Sequence, residues 1–166
     1  MRHAPRRDAM SALGRVVITS MSQDEAEKIA QWRYEAPYDF YDADADHRDL
    51  AELLDPLQRG DNYFSAHNAA DELIGYFGFV CVERIVGIGL ALRPDLTGRG
   101  LGQPFLEAGL DFARERLSAR AFKLALAAFN ERAITVYERA GFVRTRAFED
   151  ETNGGLFSFV EMERPA

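Results

Sequence analysis

Val86-Gly87-Ile88-Gly89-Leu90-Ala91-Leu92, followed by Pro94 through Thr97-Gly98-Arg99-Gly100-Leu101-Gly102 and then by Gln103 onward, is the stretch that decides the fold. Large apolar residues hold every second position of its first part, the period of a strand with one buried face. The small residues between them let another chain or a ligand approach the backbone closely. Past Gly102 the period changes. Leu106, Leu110, Ala113 and Leu117 follow i, i+4, i+7, i+11, the single apolar stripe of a helix from Gln103 to about Leu117. Pro104 suits its first turn. With a further strand over 122–128, the segment is a β-α-β unit whose first connection is a glycine-rich turn.

That turn has a chemical use. The first N–H groups of a helix have no internal partner and point outward with the positive end of the helix dipole, which suits a phosphate or pyrophosphate. Gly98, Gly100 and Gly102 remove the side chains that would block the approach. Three alternating glycines also fit a flexible turn with no ligand. Other phosphate loops fit worse. A Walker loop needs Gly-Lys-Ser/Thr, which is absent, and a dinucleotide fingerprint needs Gly-x-Gly-x-x-Gly, not the Gly98-x-Gly100-x-Gly102 spacing seen here. The position is also wrong, since three strands precede it.

Upstream, Val16-Val17-Ile18 predicts a first strand, and Ser22-Gln23-Asp24-Glu25 is a capping box that starts a helix running through Trp32 until Pro37 stops it. A second short helix is expected from Asp46 to about Leu54, closed by Pro56 and Gly60. Segments 63–67 and 73–80 read as strands joined by a turn at Ala69-Ala70-Asp71. Downstream, Glu131 to Ala140 is a helix with Asn130 as N-cap and Gly141 after its end. Segments 143–148 and 156–162 form a hairpin around Asn153-Gly154-Gly155.

With 166 residues, 47% hydrophobic and 28% charged, the chain suits one globular domain, expected over 15–166 behind a flexible basic leader at 1–14. Arg2, Arg6 and Arg7 make that leader basic without the apolar run of a secretory signal, and Met10 is an alternative start. The net charge is −7, and between Glu35 and Asp55 eight acids face one base, Arg48, so this block carries the whole imbalance. It repels phosphate backbones, which argues against nucleic acid as a partner. It also reads as a plain solvated face. No run approaches a membrane span. Cys81 stands alone, which rules out an internal disulfide and a thiolate cluster, and suits the cytoplasm. His3, His47 and His67 lack ligand spacing, so no metal is expected. No Gly-x-Ser-x-Gly elbow is present.

The segment from Thr97 to Gly102 resembles the Gln/Arg-x-x-Gly-x-Gly/Ala motif of the GNAT acyltransferase superfamily, with Thr97 departing from the usual first residue. Asn130-Glu131-Arg132-Ala133-Ile134-Thr135-Val136-Tyr137-Glu138-Arg139-Ala140-Gly141-Phe142 resembles that family's second CoA-contacting segment. The likeness covers roughly Val16 to Arg164, and a bacterial subgroup shares the aromatic stretch after Trp32 and Thr152-Asn153-Gly154-Gly155. It implies an α/β fold with a mixed sheet of about six or seven mostly antiparallel strands, a central parallel β-α-β pair and about four helices. It also implies acetyl-CoA as co-substrate, bound by Leu90, Ala91, Leu92, Thr97, Gly98, Arg99, Gly100, Leu101, Gly102, Gln103, Asn130 and Tyr137. A bulge at Leu90-Ala91-Leu92 would expose amides to the thioester, Asn130 would meet the pantetheine arm, and Tyr137 would protonate the departing thiolate. On its own, Tyr137 reads rather as a half-buried aromatic packed on the sheet.

An acyl thioester is already activated, so attack by a neutral amine needs positioning, a proton acceptor and oxyanion stabilisation rather than a metal. Candidate bases are Glu83, the acids around Asp39 and Asp42, or a water chain. In this family the first helices border the acceptor, so Tyr34, Tyr38, Asp39 and Tyr41 point to a cationic amine. A homodimer is compatible with the family. The competing reading is a non-catalytic acyl-CoA-binding module.

Overall fold

The computed structural model describes residues 13–166. Of the expected leader, only Leu13 and Gly14 fall within these residues, and Leu13 packs into the main core. Among the described residues seven strands form one sheet: β1 (Val17–Ser20), β2 (Tyr63–His67), β3 (Leu73–Val82), β4 (Ile85–Leu92), β5 (Ala121–Ala127), β6 (Val143–Thr152) and β7 (Gly155–Pro165). Five α-helices accompany them among the described residues: α1 (Gln23–Ala30), α2 (His47–Leu54), α3 (Pro56–Arg59), α4 (Gly102–Leu117) and α5 (Glu131–Arg139). The sheet order is β1-β2-β3-β4-β5-β7-β6. Only β4 and β5 run parallel; every other neighbouring pair is antiparallel. This is the mixed α/β architecture expected from the sequence.

Local chemistry explains most element ends. Ser22 and Glu25 make the reciprocal capping box, with Glu25 N–H donating to Ser22 Oγ at 3.1 Å and Ser22 N–H to Glu25 Oε1 at 3.0 Å. The helix stops at Ala30, before Trp32 and well before Pro37. Pro56 acts differently from expectation. Asp55 caps Leu57 N–H at 2.9 Å, and Pro56 opens the short α3 instead of merely ending α2. The β6–β7 hairpin also runs longer than its pattern predicts. Its strand β6 is exposed along most of its length, so burial leaves no alternation to read. The two-residue turn Asn153-Gly154, with both φ positive at 52° and 75°, sets its register instead.

The two faces of the sheet are covered unequally. On one, α4 lays Phe105, Leu106, Leu110 and Ala113 against Phe77, Phe79, Val86 and Phe122, all buried. Gly109 is part of this contact. A Cβ there would come within 2.3 Å of the Phe77 ring, so only glycine lets the helix settle on the strand. The other face carries a smaller cluster of Met21, Ala26, Ile29, Ala30 and Leu53, against which Trp32, Tyr63 and Tyr76 pack. That smaller cluster leaves the middle of the sheet accessible. The site lies there.

Candidate functional site

The parallel pair is short. Strands β4 and β5 pair only at Ile85↔Ala121, Val86↔Phe122 and Gly87↔Lys123. Beyond Gly87, β4 continues against β3 to Leu92 and β5 continues against β7 to Ala127, so the two strands diverge. Their facing edges therefore carry main-chain N–H and C=O groups with no strand partner. The expected bulge at Leu90-Ala91-Leu92 is not found. The β3–β4 register is unbroken from Ile85 to Leu92, and divergence from β5 frees the edge instead. A cavity of about 700 Å³ fills the opening, lined on its two edges by Ile88 to Leu92 and by Leu124 to Leu126. A Cβ on Gly89 would meet nothing within 4 Å, so the slot stays open beside it.

The glycine turn borders the same cavity through Thr97, Gly98, Gly100, Leu101 and Gly102; Arg99 and Gln103 are not among the lining residues. Thr97 closes the preceding 3₁₀ turn, its Oγ1 donating to Pro94 O at 2.7 Å. Gly98 and Gly100 take φ of 73° and 74°, the left-handed region that a side chain would strain. Among the described residues, the amides of Gly98, Arg99, Gly100 and Leu101 have no hydrogen-bond partner. Leu101, the residue at the N-cap of α4, offers no side-chain cap either. Of these, Gly98, Gly100 and Leu101 border the cavity beside the uncapped helix start, and a Cβ on Gly100 would meet nothing within 4 Å. The residues present fit an anionic phosphate tail.

Helix α5 brings the second motif to the same cavity. Asn130 caps it, its Oδ1 accepting from Ala133 N–H at 3.2 Å, while its Nδ2 donates to Tyr41 Oη at 3.2 Å. Tyr137 lines the cavity two turns on and packs beside Phe142, with ring centroids 6.0 Å apart. Burial, and then the neighbouring Tyr41, push its phenol well above the ordinary tyrosine value, so at neutral pH it holds its proton. Tyr137 thus packs on an aromatic and also reaches the cavity. Arg132 was not singled out by sequence. Its guanidinium lies 4.0 Å from the centroid of the Tyr38 ring, and a Cβ on Gly98 would come within 3.9 Å of its Nη1. The available signal was its place in the first turn of α5, two residues beyond the cap.

The acidic, aromatic segment forms the opposite wall. Tyr34 Oη donates to Leu92 O at 2.6 Å, and Tyr34 N–H to Asp42 Oδ1 at 2.9 Å. Tyr38 lines the wall beneath Arg132, and Tyr41 lines it beside Asn130, whereas Asp39 is not part of the lining. Glu83, at φ 52° in the β3–β4 turn, sits at the far end of the sheet from the cavity and is excluded as a base. Asp49 does line the cavity, and its carboxyl is pushed up by burial and by Asp46 and Glu52. Among the described residues it has no hydrogen-bond or ion-pair partner, unlike Asp44, which pairs with Arg33 at 2.9 Å. Tyr76, pushed up to about 12 by burial and then by Asp49, and Tyr63, which donates to Glu52 Oε1 at 3.2 Å, complete this wall. The sequence signal for Asp49 was its position one turn ahead of Leu53 on α2, on the face that turns inward.

The wall is tied down at its far end. Asp46 Oδ2 accepts from Asn153 N–H at 3.0 Å and from Thr152 Oγ1 at 3.2 Å, while Oδ1 accepts from Arg48 N–H at 2.9 Å. These bonds, that of Asn153 first, hold its carboxyl down at about 2. Asn153 Nδ2 donates to Phe40 O at 2.7 Å, and the Phe40 ring meets Phe129 and Phe157 edge-on at 5.4 and 5.0 Å. The β6–β7 turn thus anchors the aromatic segment.

A diverging parallel pair, an uncapped helix start behind a glycine turn and a protonated phenol in one cavity define the architecture of an acyl-CoA-using transferase. A family model described as an acetyltransferase (GNAT) domain matches residues 15–143, and the chain belongs to that family. The solved spermidine N-acetyltransferase from Vibrio cholerae, in complex with CoA and spermine, is similar in fold. Its TM-score is 0.69 at 20% identity, over 90% of this chain and 95% of that one. A GNAT-family acetyltransferase from Bacillus anthracis gives a TM-score of 0.72 at 14% identity, over 92% and 96% of the two chains. The chain is also 43% identical over 53 residues to the mycothiol acetyltransferase of Propionibacterium freudenreichii subsp. shermanii. That match spans 32% of this chain and 17% of the relative's length. No helix among the described residues is long and apolar enough to cross a membrane.

Proposed function

We propose that this chain transfers an acetyl group from acetyl-CoA to a primary amine of a small cationic molecule or peptide, by direct attack within a ternary complex. One observation carries the reading: the amides of Gly98, Gly100 and Leu101, partnerless among the described residues, the unpaired edge of β4 and the Tyr137 phenol all border one cavity. These amides hold the pyrophosphate, and Arg132 adds a positive charge beside them. The free edge of β4 at Leu90 to Leu92 aligns the thioester, with main-chain donors for the carbonyl as it gains negative charge.

The amine must lose a proton, and the sulfur must gain one. As the C–N bond forms and the C–S bond breaks, the Asp49 carboxylate takes the amine proton, and Tyr137 gives its phenolic proton to the sulfur. The phenol is then restored from solvent. A carboxyl raised by burial is a stronger base than an exposed one, and a phenol kept protonated at neutral pH is a ready acid. Among the described residues Asp42 and Asp49 lack cationic partners in a wall of tyrosines, an arrangement that attracts an ammonium group. The structural relative that holds CoA and spermine adds support to a cationic acceptor.

Free-thiol release from acetyl-CoA, measured with spermine, an aminoglycoside, a peptide with a basic N-terminus, and neutral and anionic amines, tests the proposal. Turnover favouring the cations is expected. CoA binding with no thiol release for any amine would replace the enzyme with a binding module, and preference for an anionic amine would overturn the assignment of the acidic wall.

A further inference from the structure

Three glycines sit inside strands where neither conformation nor crowding requires one. Gly78 on β3 and Gly89 on β4 lie opposite each other, and Gly87, two positions from Gly89, lies opposite Val80. None of the three takes a positive φ. An added Cβ would meet nothing within 4 Å at Gly89, only Val80 O at 3.6 Å at Gly87, and only the Tyr63 ring, from 3.8 Å, at Gly78. Side chains would therefore fit, and glycine weakens a strand interior. What their absence leaves is a second cavity, of about 360 Å³. It lies on the sheet face away from α4, because Phe77, Phe79, Val86 and Ile88, which alternate with these glycines, are buried in the core beneath that helix. Tyr63, Ile88, Gly89, Leu124 and Ala125 line both cavities, so the second adjoins the first. Its two charged lining residues differ. Lys123 is held by Glu161 at 3.4 Å, whereas Glu52 accepts from Tyr63 Oη at 3.2 Å and has no cationic partner among the described residues.

We propose that this second cavity is a groove for the tail of the acceptor, an unbranched chain that leaves the reacting nitrogen beside Leu90, crosses the glycine floor and brings a second ammonium group to Glu52. The proposal rests on the acyl-transfer reading of the larger cavity and names the shape of its acceptor. Leu90 and Gly87 are three residues apart on β4, about 10 Å at about 3.3 Å per residue. An extended diaminooctane covers that distance and diaminopropane does not. A floor of Gly78, Gly87, Gly89 and Ala125 lets a narrow chain lie flat, and contact with Val80 removes its methylenes from water. Side chains on that floor would lift the chain away. The Tyr63 hydroxyl fixes the carboxylate that receives the far end, and the tie between Lys123 and Glu161 offsets the one positive charge in the lining.

Thiol release from acetyl-CoA is measured with diaminopropane, diaminohexane, diaminooctane and octylamine, and CoA affinity by calorimetry serves as the control for folding. In the parent, KM is expected to fall from diaminopropane to diaminooctane, with octylamine poorer than diaminooctane. Gly87→Val fills the groove with a residue suited to a strand. It should raise the KM of diaminooctane about tenfold while diaminopropane stays within about twofold and CoA affinity is kept. Gly78→Ala adds a single methyl at the floor and should act in the same sense, more weakly; it decides the matter if Gly87→Val no longer binds CoA. Glu52→Gln should raise the KM of diaminooctane about threefold and leave that of octylamine unchanged. A KM independent of chain length in the parent, or an equal loss for short and long diamines in the filled variants, overturns the groove. A loss in Glu52→Gln shared by octylamine overturns the second ammonium group. Absence of thiol release with every amine removes the acyl-transfer reading and the groove with it, whereas turnover indifferent to chain length removes the groove alone.

Discussion

At the end of the cavity beside α4, the groups that face a ligand are main-chain amides; at the end beside α2, they are side chains of tyrosine and aspartate. The first wall depends on two glycines at positive φ and on a helix that begins without a cap. The second depends on which residues the loop from Tyr34 to Asp46 and helix α2 happen to turn inward. A cradle of backbone N–H groups needs spacing and conformation but few particular side chains. A wall of side chains changes with each substitution, so under the proposed function that end would set the choice of acceptor.

Substitutions at each end should break this contrast unequally. Gly100→Glu places a carboxylate in the cradle and strains a left-handed residue. The expected loss is about 100-fold in CoA affinity by titration calorimetry, with acceptor preference unaltered. Unchanged affinity would mean that the turn holds no phosphate. Asp49→Asn keeps the shape and removes the charge and the base. The cationic acceptor's KM should rise about tenfold and kcat should fall, while the Kd for CoA stays as it was. If neutral amines suffer equally in KM, the acidic wall does not select charge. Arg132→Ala sits between the two walls. CoA affinity should fall about fivefold at low salt and less at high salt, the mark of an exposed charge meeting phosphate.

The smallest effect concerns the anchor at the far end. Folding holds the Asp46 carboxyl below its ordinary value of 3.8, at about 2. A carboxyl depressed in the folded state stabilises above its unfolded value, and that contribution is lost as pH falls through the folded value. Asp46→Asn should therefore lower the urea midpoint near neutral pH, and the gap from the parent should narrow between 3.8 and about 2. A gap that stays constant across that window would show that Asp46 acts by shape alone.

Much of the fold was legible because its determinants are local. The Ser22–Glu25 capping box, the apolar stripe of α4, the Asn130 cap and the Asn153-Gly154 turn each act over a few residues, so their spacing along the chain is also their geometry. Pro56 shows where that logic stops. A proline can end one helix or open the next, and the Asp55 carboxylate capping Leu57 decides between them. The candidate site divides in the same way. Gly98 to Gly102, Asn130 and Tyr137 were readable as motifs, whereas Arg132 and Asp49 came to notice only through what they face.

By itself the sequence determined the strand period, the helix starts and the anion-ready turn, since each follows from backbone conformation within a short window. Only the tertiary structure decided that β4 and β5 part after Gly87, that Tyr41 reaches Ala127 and Asn130 across the cavity, and that Asp49 rather than Glu83 faces it. These facts join residues far apart in the chain. Such contacts are set by how whole elements pack, and no local pattern encodes them.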